Sequence, residues 1–271
     1  MKSTERLDTA VFAKGLADSR EKAKALVMAG CVYVNGVKAL KAGQSVDAAD
    51  EIELRNTGDS FVSRGAYKLK KALDVFGISP EGLVCIDVGA STGGFTQILL
   101  ERSAAKVYAV DVGYGQLAWQ LRNDPRVVNL ERTNFRNIDA KLIPEPVDFA
   151  CVDVSFISLK LILPALMQFL KESAKVVCLV KPQFEAGRSS VGKKGVVRDA
   201  EVHRRVLKEI SDFCRTNGYG IIGADYSPIK GPQGNIEFLL LLVPQDGESS
   251  LDIDIIDSAV SNAHLFLNGE S

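Results

Sequence analysis

Hydrophobic positions recur along this chain with two different periods, and the change between them divides it. In the first fifty-odd residues, apolar residues fall at helical spacing over residues 6–14 and 20–29. Asp18-Ser19 stands where a helix N-cap belongs, and Gly30 where a helix stops. Two β-forming runs follow, Val32-Tyr33-Val34 and Val37-Lys38, joined by Asn35-Gly36. Asn-Gly between such runs is the strongest short hairpin signal. Residues 50–54 predict one more strand. A polar, turn-forming stretch over residues 55–60 then breaks the pattern.

Beyond the break, buried-strand and helix patterns alternate. Strands are predicted at residues 83–88, 107–111, 127–130, 149–154, 176–181, 220–226 and 236–243. Helices are predicted at 66–76, 93–102, 116–122, 159–169 and 200–217. Such alternation predicts an α/β fold with a mostly parallel sheet covered on both faces. The last two strands leave no room for a helix between them, so they should pair as an antiparallel edge hairpin. An amphipathic helix is predicted at 254–267. The expected domains are therefore residues 1–59, a linker at 60–64, a catalytic-sized α/β domain at 65–245, and a tail at 246–271.

Composition changes this picture little. The chain has 271 residues, 46% hydrophobic and 25% charged, as in an ordinary globular protein. Its longest apolar run, residues 238–243, is far short of the roughly 20 residues that span a bilayer. The opening residues carry no apolar leader segment. Five widely spaced cysteines, none in a C-x-x-C pair, read as neither a disulfide framework nor a zinc site. A reducing cytoplasm and no metal are expected. The net charge of −1 hides an asymmetry. Residues 246–271 hold six acids and no Lys or Arg, which leaves +5 on the rest. That mild excess is compatible with an anionic partner.

Two sets of residues carry chemistry. The first is Asp87-Val88-Gly89-Ala90-Ser91-Thr92-Gly93-Gly94-Phe95, where a buried strand turns into a helix. Glycines there allow close backbone approach, and the helix N-terminus offers free N–H groups. The spacing is neither G-x-G-x-x-G nor that of a P-loop. Asp87 puts a carboxylate beside the turn, repelling phosphate and welcoming a cationic methionine group. Asp111 ends the next strand, where an acid accepts hydrogen bonds from ribose hydroxyls. Together they favour S-adenosylmethionine over a nicotinamide cofactor. Gly89, Ser91, Gly93, Gly94 and Phe95 should line its methionine end, Asp111 its ribose, and Asn134 the adenine edge. The second set is Lys68, Asp153, Lys181 and Glu237, each at or near the end of a predicted element. In an open α/β sheet, ligands bind beyond the carboxyl ends of the strands. Asp153 and Lys181 point there, and an antiparallel last strand brings Glu237 to the same edge. The two histidines lie on predicted helices outside these sets and are expected to be structural.

The motifs S-R-G-A-Y-K-L (63–69), D-V-G-A-S-T-G-G-F (87–95), V-D-V-S-F (152–156), K-P-Q-F-E (181–185) and G-N-I-E-F (234–238) resemble those of the FtsJ/RrmJ-type ribose methyltransferases. R-L-D-x-x-V (6–11), S-R-E-K-A-K-A-L-V (19–27) and G-C-V-Y-V-N-G (30–36) resemble the ribosomal S-four RNA-binding domain. Their order resembles the TlyA family, historically labelled hemolysin A. The resemblance implies a Rossmann-like S-adenosylmethionine-dependent methyltransferase that modifies a ribose 2′-hydroxyl of ribosomal RNA, with cytidine as the nucleoside. It implies a Lys-Asp-Lys-Glu tetrad at Lys68, Asp153, Lys181 and Glu237, with Lys181 as the base. Lysine is ordinarily protonated at pH 7. That role therefore needs surroundings that favour the neutral amine, and a neighbouring Lys68 and partial burial push that way. Expected RNA contacts are Lys14, Arg20, Lys22, Lys24, Lys38 and Arg64, with Arg188, Lys193 and Lys194 on a glycine-containing loop at 183–198. That loop is expected to act as a mobile lid. The competing readings are a non-catalytic ribosome-binding factor, which an intact tetrad disfavours, and a membrane-active hemolysin, for which no spanning segment is seen.

Overall fold

The computed structural model describes residues 4–17, 19–28, 30–54, 61–245 and 253–268. Two compact units divide at residue 60. Asp18, the break at 55–60 and residues 246–252 lie outside the described residues.

The first unit runs β1 (Thr4–Arg6), α1 (Leu7–Ala13), α2 (Arg20–Met28), β2 (Val32–Val34), β3 (Val37–Lys38), β4 (Ser45–Asp47) and β5 (Ile52–Leu54). Ser19 accepts the Lys22 N–H and so caps α2. The Asn35-Gly36 turn joins β2 to β3 as its dipeptide predicts, both residues having positive φ. Leu7, Val11, Ala23, Val27, Val32 and Val46 form a small separate core. The β1–β4 pair has no counterpart in the sequence reading. Three-residue strands are too short to show a period of two.

The second unit begins with α3 (Ala66–Val75), β6 (Val84–Val88), α4 (Gly94–Glu101), β7 (Lys106–Val110), α5 (Trp119–Arg122), β8 (Val127–Leu130) and β9 (Val147–Val152). It continues through α6 (Leu163–Met167), β10 (Leu170–Val180), α7 (Pro182–Glu185), α8 (Ala200–Thr216), β11 (Tyr219–Tyr226), β12 (Phe238–Pro244) and α9 (Ile253–Asn268). Seven strands make one sheet in the order β11-β12-β10-β9-β6-β7-β8. Pairing is parallel from β10 to β8 and antiparallel on both sides of β12. The edge hairpin is present, but its second strand inserts beside β10 and leaves β11 at the edge.

The sheet has a core on each face. Ile86 and Val88 of β6 look toward α6, α8 and α9. Cys85 looks toward α3 and α4, packed with Leu69, Leu73, Ile98 and Leu99. Near-continuous apolar strands are what a doubly covered parallel sheet requires. The strand order reverses at β6, between β7 and β9, which is where such sheets open a crevice.

The structure departs from the sequence reading in three places that matter. Residues 61–64, expected as linker, pack into the second unit: Val62 N–H donates to Gln97 Oε1 at 2.8 Å, and the Phe61 and Tyr67 rings meet edge to face. The expected acidic tail holds α9, whose Ile256, Val260 and Ala263 are buried in the core. Its Asp257 pairs with Arg204 of α8 at 2.9 Å, and His264 lies 2.9 Å from His203. Burial lowers the pKa of His203 to about 4, so it is neutral and structural. The 183–198 loop is not a free lid. Gly192 N–H donates to Val196 O, and Val196 and Val197 are buried. The Asn235 side chain accepts from Val197 N–H and donates to Gly195 O. A buried carboxamide that is satisfied at both ends is a tether, and nothing in the loop's own glycine-rich sequence reveals it.

Candidate active site

Four loops meet beyond the carboxyl ends of β6, β7, β9 and β10. The turn after β6 is shaped by two glycines. Gly89 has φ +88°, and a Cβ there would sit 2.4 Å from Asp153 O, so no other residue fits. Gly93 has φ +95° and caps α4, with Leu117 and Leu121 packed against it. Beside this turn lies a cavity of about 490 Å³, a size suited to a small-molecule cofactor. Gly89, Ser91, Asp111, Asn134, Phe135, Asp153, Phe156 and Ile162 are among its lining residues. A smaller hollow continues along Ser63, Gly94 and Phe95 to the other side of Asp153.

Asp111 stands at the cavity wall as the sequence places it. Its Oδ2 accepts from Ser91 N–H at 2.8 Å and its Oδ1 from Gly113 N–H at 2.6 Å. Each carboxylate oxygen has a second lone pair, so both can still accept from a ligand hydroxyl. Asn134 also reaches the cavity, where its side-chain oxygen caps the following 3-10 turn by accepting from Arg136 N–H. Its amide N–H₂ is not used in that cap.

Asp87 and Gly93 are placed differently from the sequence expectation, for neither is among the lining residues of these two hollows. Strand alternation turns Asp87 onto the face it shares with Cys85, under the turn. There it is fully buried, and its Oδ2 accepts both the N–H and the hydroxyl of Thr96, at 2.9 and 2.7 Å. Burial outweighs those hydrogen bonds and pushes its pKa up to about 7. Asp87 thus anchors the start of α4 and holds the turn from beneath.

Lys68, Asp153, Lys181 and Glu237, 169 positions apart at their extremes, come together as one chain of charges. Lys68 lies on the buried side of α3 beside Leu69. Its Nζ is 2.5 Å from Glu237 Oε2 and 3.5 Å from Asp153 Oδ2. Asp153 Oδ1 lies 2.5 Å from Lys181 Nζ, at the end of β10. The signs alternate, and two ammonium groups balance two carboxylates. Lys68 and Lys181 are 7% exposed and Glu237 1%. Burial disfavours the charged Lys68, but the fields of Asp153 and Glu237 outweigh it and its pKa is raised. Lys68 is therefore a fixed cation. Lys181 also donates to Ser155 Oγ at 2.9 Å, a partner the sequence reading missed. Asp153 borders both hollows, so the charged chain meets the cavity at Asp153.

The basic residues expected to meet RNA fall on both units. Arg20 is drawn to Asp8, which Arg6 and Arg20 together hold well below the usual carboxylate range. Lys14 donates to Asp50 O at 3.0 Å. Lys22, Lys24 and Lys38 are exposed on the first unit, while Arg64, Arg188, Lys193 and Lys194 are exposed on the second.

The chain has counterparts among known proteins. The family model of FtsJ-like methyltransferases matches residues 61–243. The chain belongs to the FtsJ-like methyltransferase family. An S4 domain precedes the methyltransferase unit, matched over residues 5–52. YqxC of Bacillus subtilis, which carries the name of an rRNA methyltransferase, is 49% identical over 270 residues, spanning 97% of this chain and 95% of that protein. The 16S/23S rRNA (cytidine-2′-O)-methyltransferase TlyA of Mycobacterium tuberculosis is 45% identical over 261 residues, spanning 95% of this chain and 96% of that protein. A solved structure described as a hemolysin from Streptococcus thermophilus matches with a TM-score of 0.79 at 44% identity, covering 99% of this chain and 98% of that one. Agreement over both units makes this a TlyA-type FtsJ-like methyltransferase. Among the described residues, no helix is long and apolar enough to cross a membrane.

Proposed function

We propose that the protein transfers a methyl group from S-adenosylmethionine to a ribose 2′-hydroxyl of ribosomal RNA, with cytidine as the nucleoside. The observation that carries this reading is the Glu237–Lys68–Asp153–Lys181 chain of charges, which meets a cavity of about 490 Å³ at Asp153. The relatives support it: the M. tuberculosis protein bears that activity in its name.

S-adenosylmethionine, when bound, supplies an electrophilic methyl group. Gly89, Ser91, Gly94 and Phe95 would hold its methionine end, Asp111 its ribose hydroxyls and Asn134 its adenine edge. Asp87 and Gly93 would shape the turn that receives it. The Lys181 amine would take the proton of the attacking hydroxyl as the oxygen–carbon bond forms. Asp153 holds that amine in place, Lys68 holds Asp153, and Glu237 holds Lys68. The S4 domain would add contacts to the RNA through Lys14, Arg20, Lys22, Lys24 and Lys38, and the methyltransferase unit through Arg64, Arg188, Lys193 and Lys194. Ribosomal RNA as substrate supports a cytoplasmic location.

The test is transfer of labelled methyl to ribosomal subunits from a strain lacking this gene. Lys181→Ala should lower the rate by about 100-fold or more, a usual size for loss of a general base. Its affinity for S-adenosylhomocysteine, read by calorimetry, should be unchanged. Undiminished transfer by Lys181→Ala would contradict the proposed base.

A further inference from the structure

The Lys181 amine has two polar neighbours on the protein. Asp153 Oδ1 is 2.5 Å from Nζ and Ser155 Oγ is 2.9 Å away. A neutral amine has two N–H bonds and one lone pair. If Asp153 alone held it, the amine could turn about its Cε–Nζ bond and aim the lone pair in either of two remaining directions. A second acceptor removes that freedom.

The loop that carries Ser155 is built to be rigid. At one end, Asp153 N–H donates to Val88 O at 2.9 Å. At the other, Glu185 accepts from Ser158 Oγ at 2.6 Å and from Leu159 N–H at 2.8 Å. Glu185 stands just after Lys181, so it ties the loop to the segment that presents the amine. Between these anchors Phe156 takes φ +64°, a conformation costly for a bulky residue, with its ring 5.0 Å from that of Phe184. Ser155 is exposed and lines the cavity. Its hydroxyl is thus held at the mouth of the site by structure on both sides.

We propose that Ser155 is a positioning residue: with Asp153 it occupies both N–H bonds of the neutral Lys181 amine and leaves the lone pair facing the substrate hydroxyl. This rests on the reading of Lys181 as the base. The ammonium first loses its third proton to solvent. The 2′-hydroxyl proton then takes that position as the ribose oxygen gains the methyl group, and solvent removes it before the next turnover. Both hydrogen bonds to Asp153 and Ser155 persist throughout. Orientation of this kind acts on the chemical step, not on substrate affinity.

The test compares wild type, Ser155→Ala, Ser155→Thr and Lys181→Ala in full-length protein, using unmethylated ribosomal subunits and labelled S-adenosylmethionine. Ser155→Ala should lower kcat by about tenfold or more, with KM for the subunit and affinity for S-adenosylhomocysteine unchanged. Ser155→Thr, which restores the hydroxyl, should recover most of that loss. Wild-type kcat in Ser155→Ala would overturn the proposal. So would a loss confined to KM, which would make Ser155 an RNA contact, or a loss that Thr does not rescue. Undiminished transfer by Lys181→Ala would overturn the base assignment itself, and this arm separates the two failures.

Discussion

Burial disfavours the charged form of two residues of this site, but their partners give opposite outcomes. Lys68 sits between two carboxylates, and its ammonium is favoured despite desolvation. Asp87 has only neutral donors from Thr96, and its carboxylate is disfavoured. The second case has a measurable consequence. Folded Asp87 keeps its proton up to about pH 7, whereas an unfolded aspartate releases it near its ordinary 3.8. The folded state therefore binds more protons between those values. Asp87 adds stability at the acid end of the window and loses that contribution as pH rises through 7. Asparagine can still accept both Thr96 hydrogen bonds but does not titrate. The thermal midpoint of Asp87→Asn should gain on that of wild type between pH 5 and 8, and parallel curves would refute the assignment. At this scale the sequence was informative about identity and less so about direction. The resemblance named the tetrad residues, and the sheet brings all four together. It could not say which way Asp87 faces, because a one-residue step along a strand reverses the side. Ser155 stood inside the V-D-V-S-F motif, but nothing in the sequence gave it a role apart from that of Asp153.

Among elements, the long central strands were legible and the short β1–β4 pair was not. The seven-stranded sheet was expected strand by strand, because buried strands read as unbroken apolar runs. β10 extends further back than its apolar core because Leu170–Lys175 continues the strand through an irregular register with polar residues. The predicted helix at 159–169 is divided into a 3-10 turn, Leu159–Leu161, and α6, with Pro164 in the first turn of α6. The loop at 183–198 was the largest miss. Its glycines and lysines match a mobile segment, but Asn235, in the G-N-I-E-F motif beside Glu237, fixes it from a distant part of the chain. Asn235→Ala would leave Val197 N–H and Gly195 O without their partner, at about 1–3 kcal/mol for each buried group. Urea unfolding should show that variant destabilised by roughly 2–4 kcal/mol. Trypsin should cut at Lys193 and Lys194 more readily than in wild type. Wild-type stability together with wild-type proteolysis would show that the tether holds nothing.

Across the whole molecule, two units with separate cores place an S4 domain and a methyltransferase on one chain. Charge balance alone obscured this, because the six acids of residues 246–271 mask a basic excess elsewhere. Two of them, Asp254 and Asp257, stand on α9. Ile256, Val260 and Ala263 bury one side of α9, and Asp257 pairs with Arg204. The amphipathic pattern at 254–267 foretold the helix, though not what it packs against. The central claim is that these units together modify the sugar of a ribosomal nucleotide. The most direct test digests subunits, treated with enzyme and labelled S-adenosylmethionine, to nucleosides and identifies the labelled one by mass spectrometry. The account predicts label in 2′-O-methylcytidine, protected from alkaline cleavage at its position in the RNA and absent with Lys181→Ala. Label on a base, with the ribose unmodified, would contradict it.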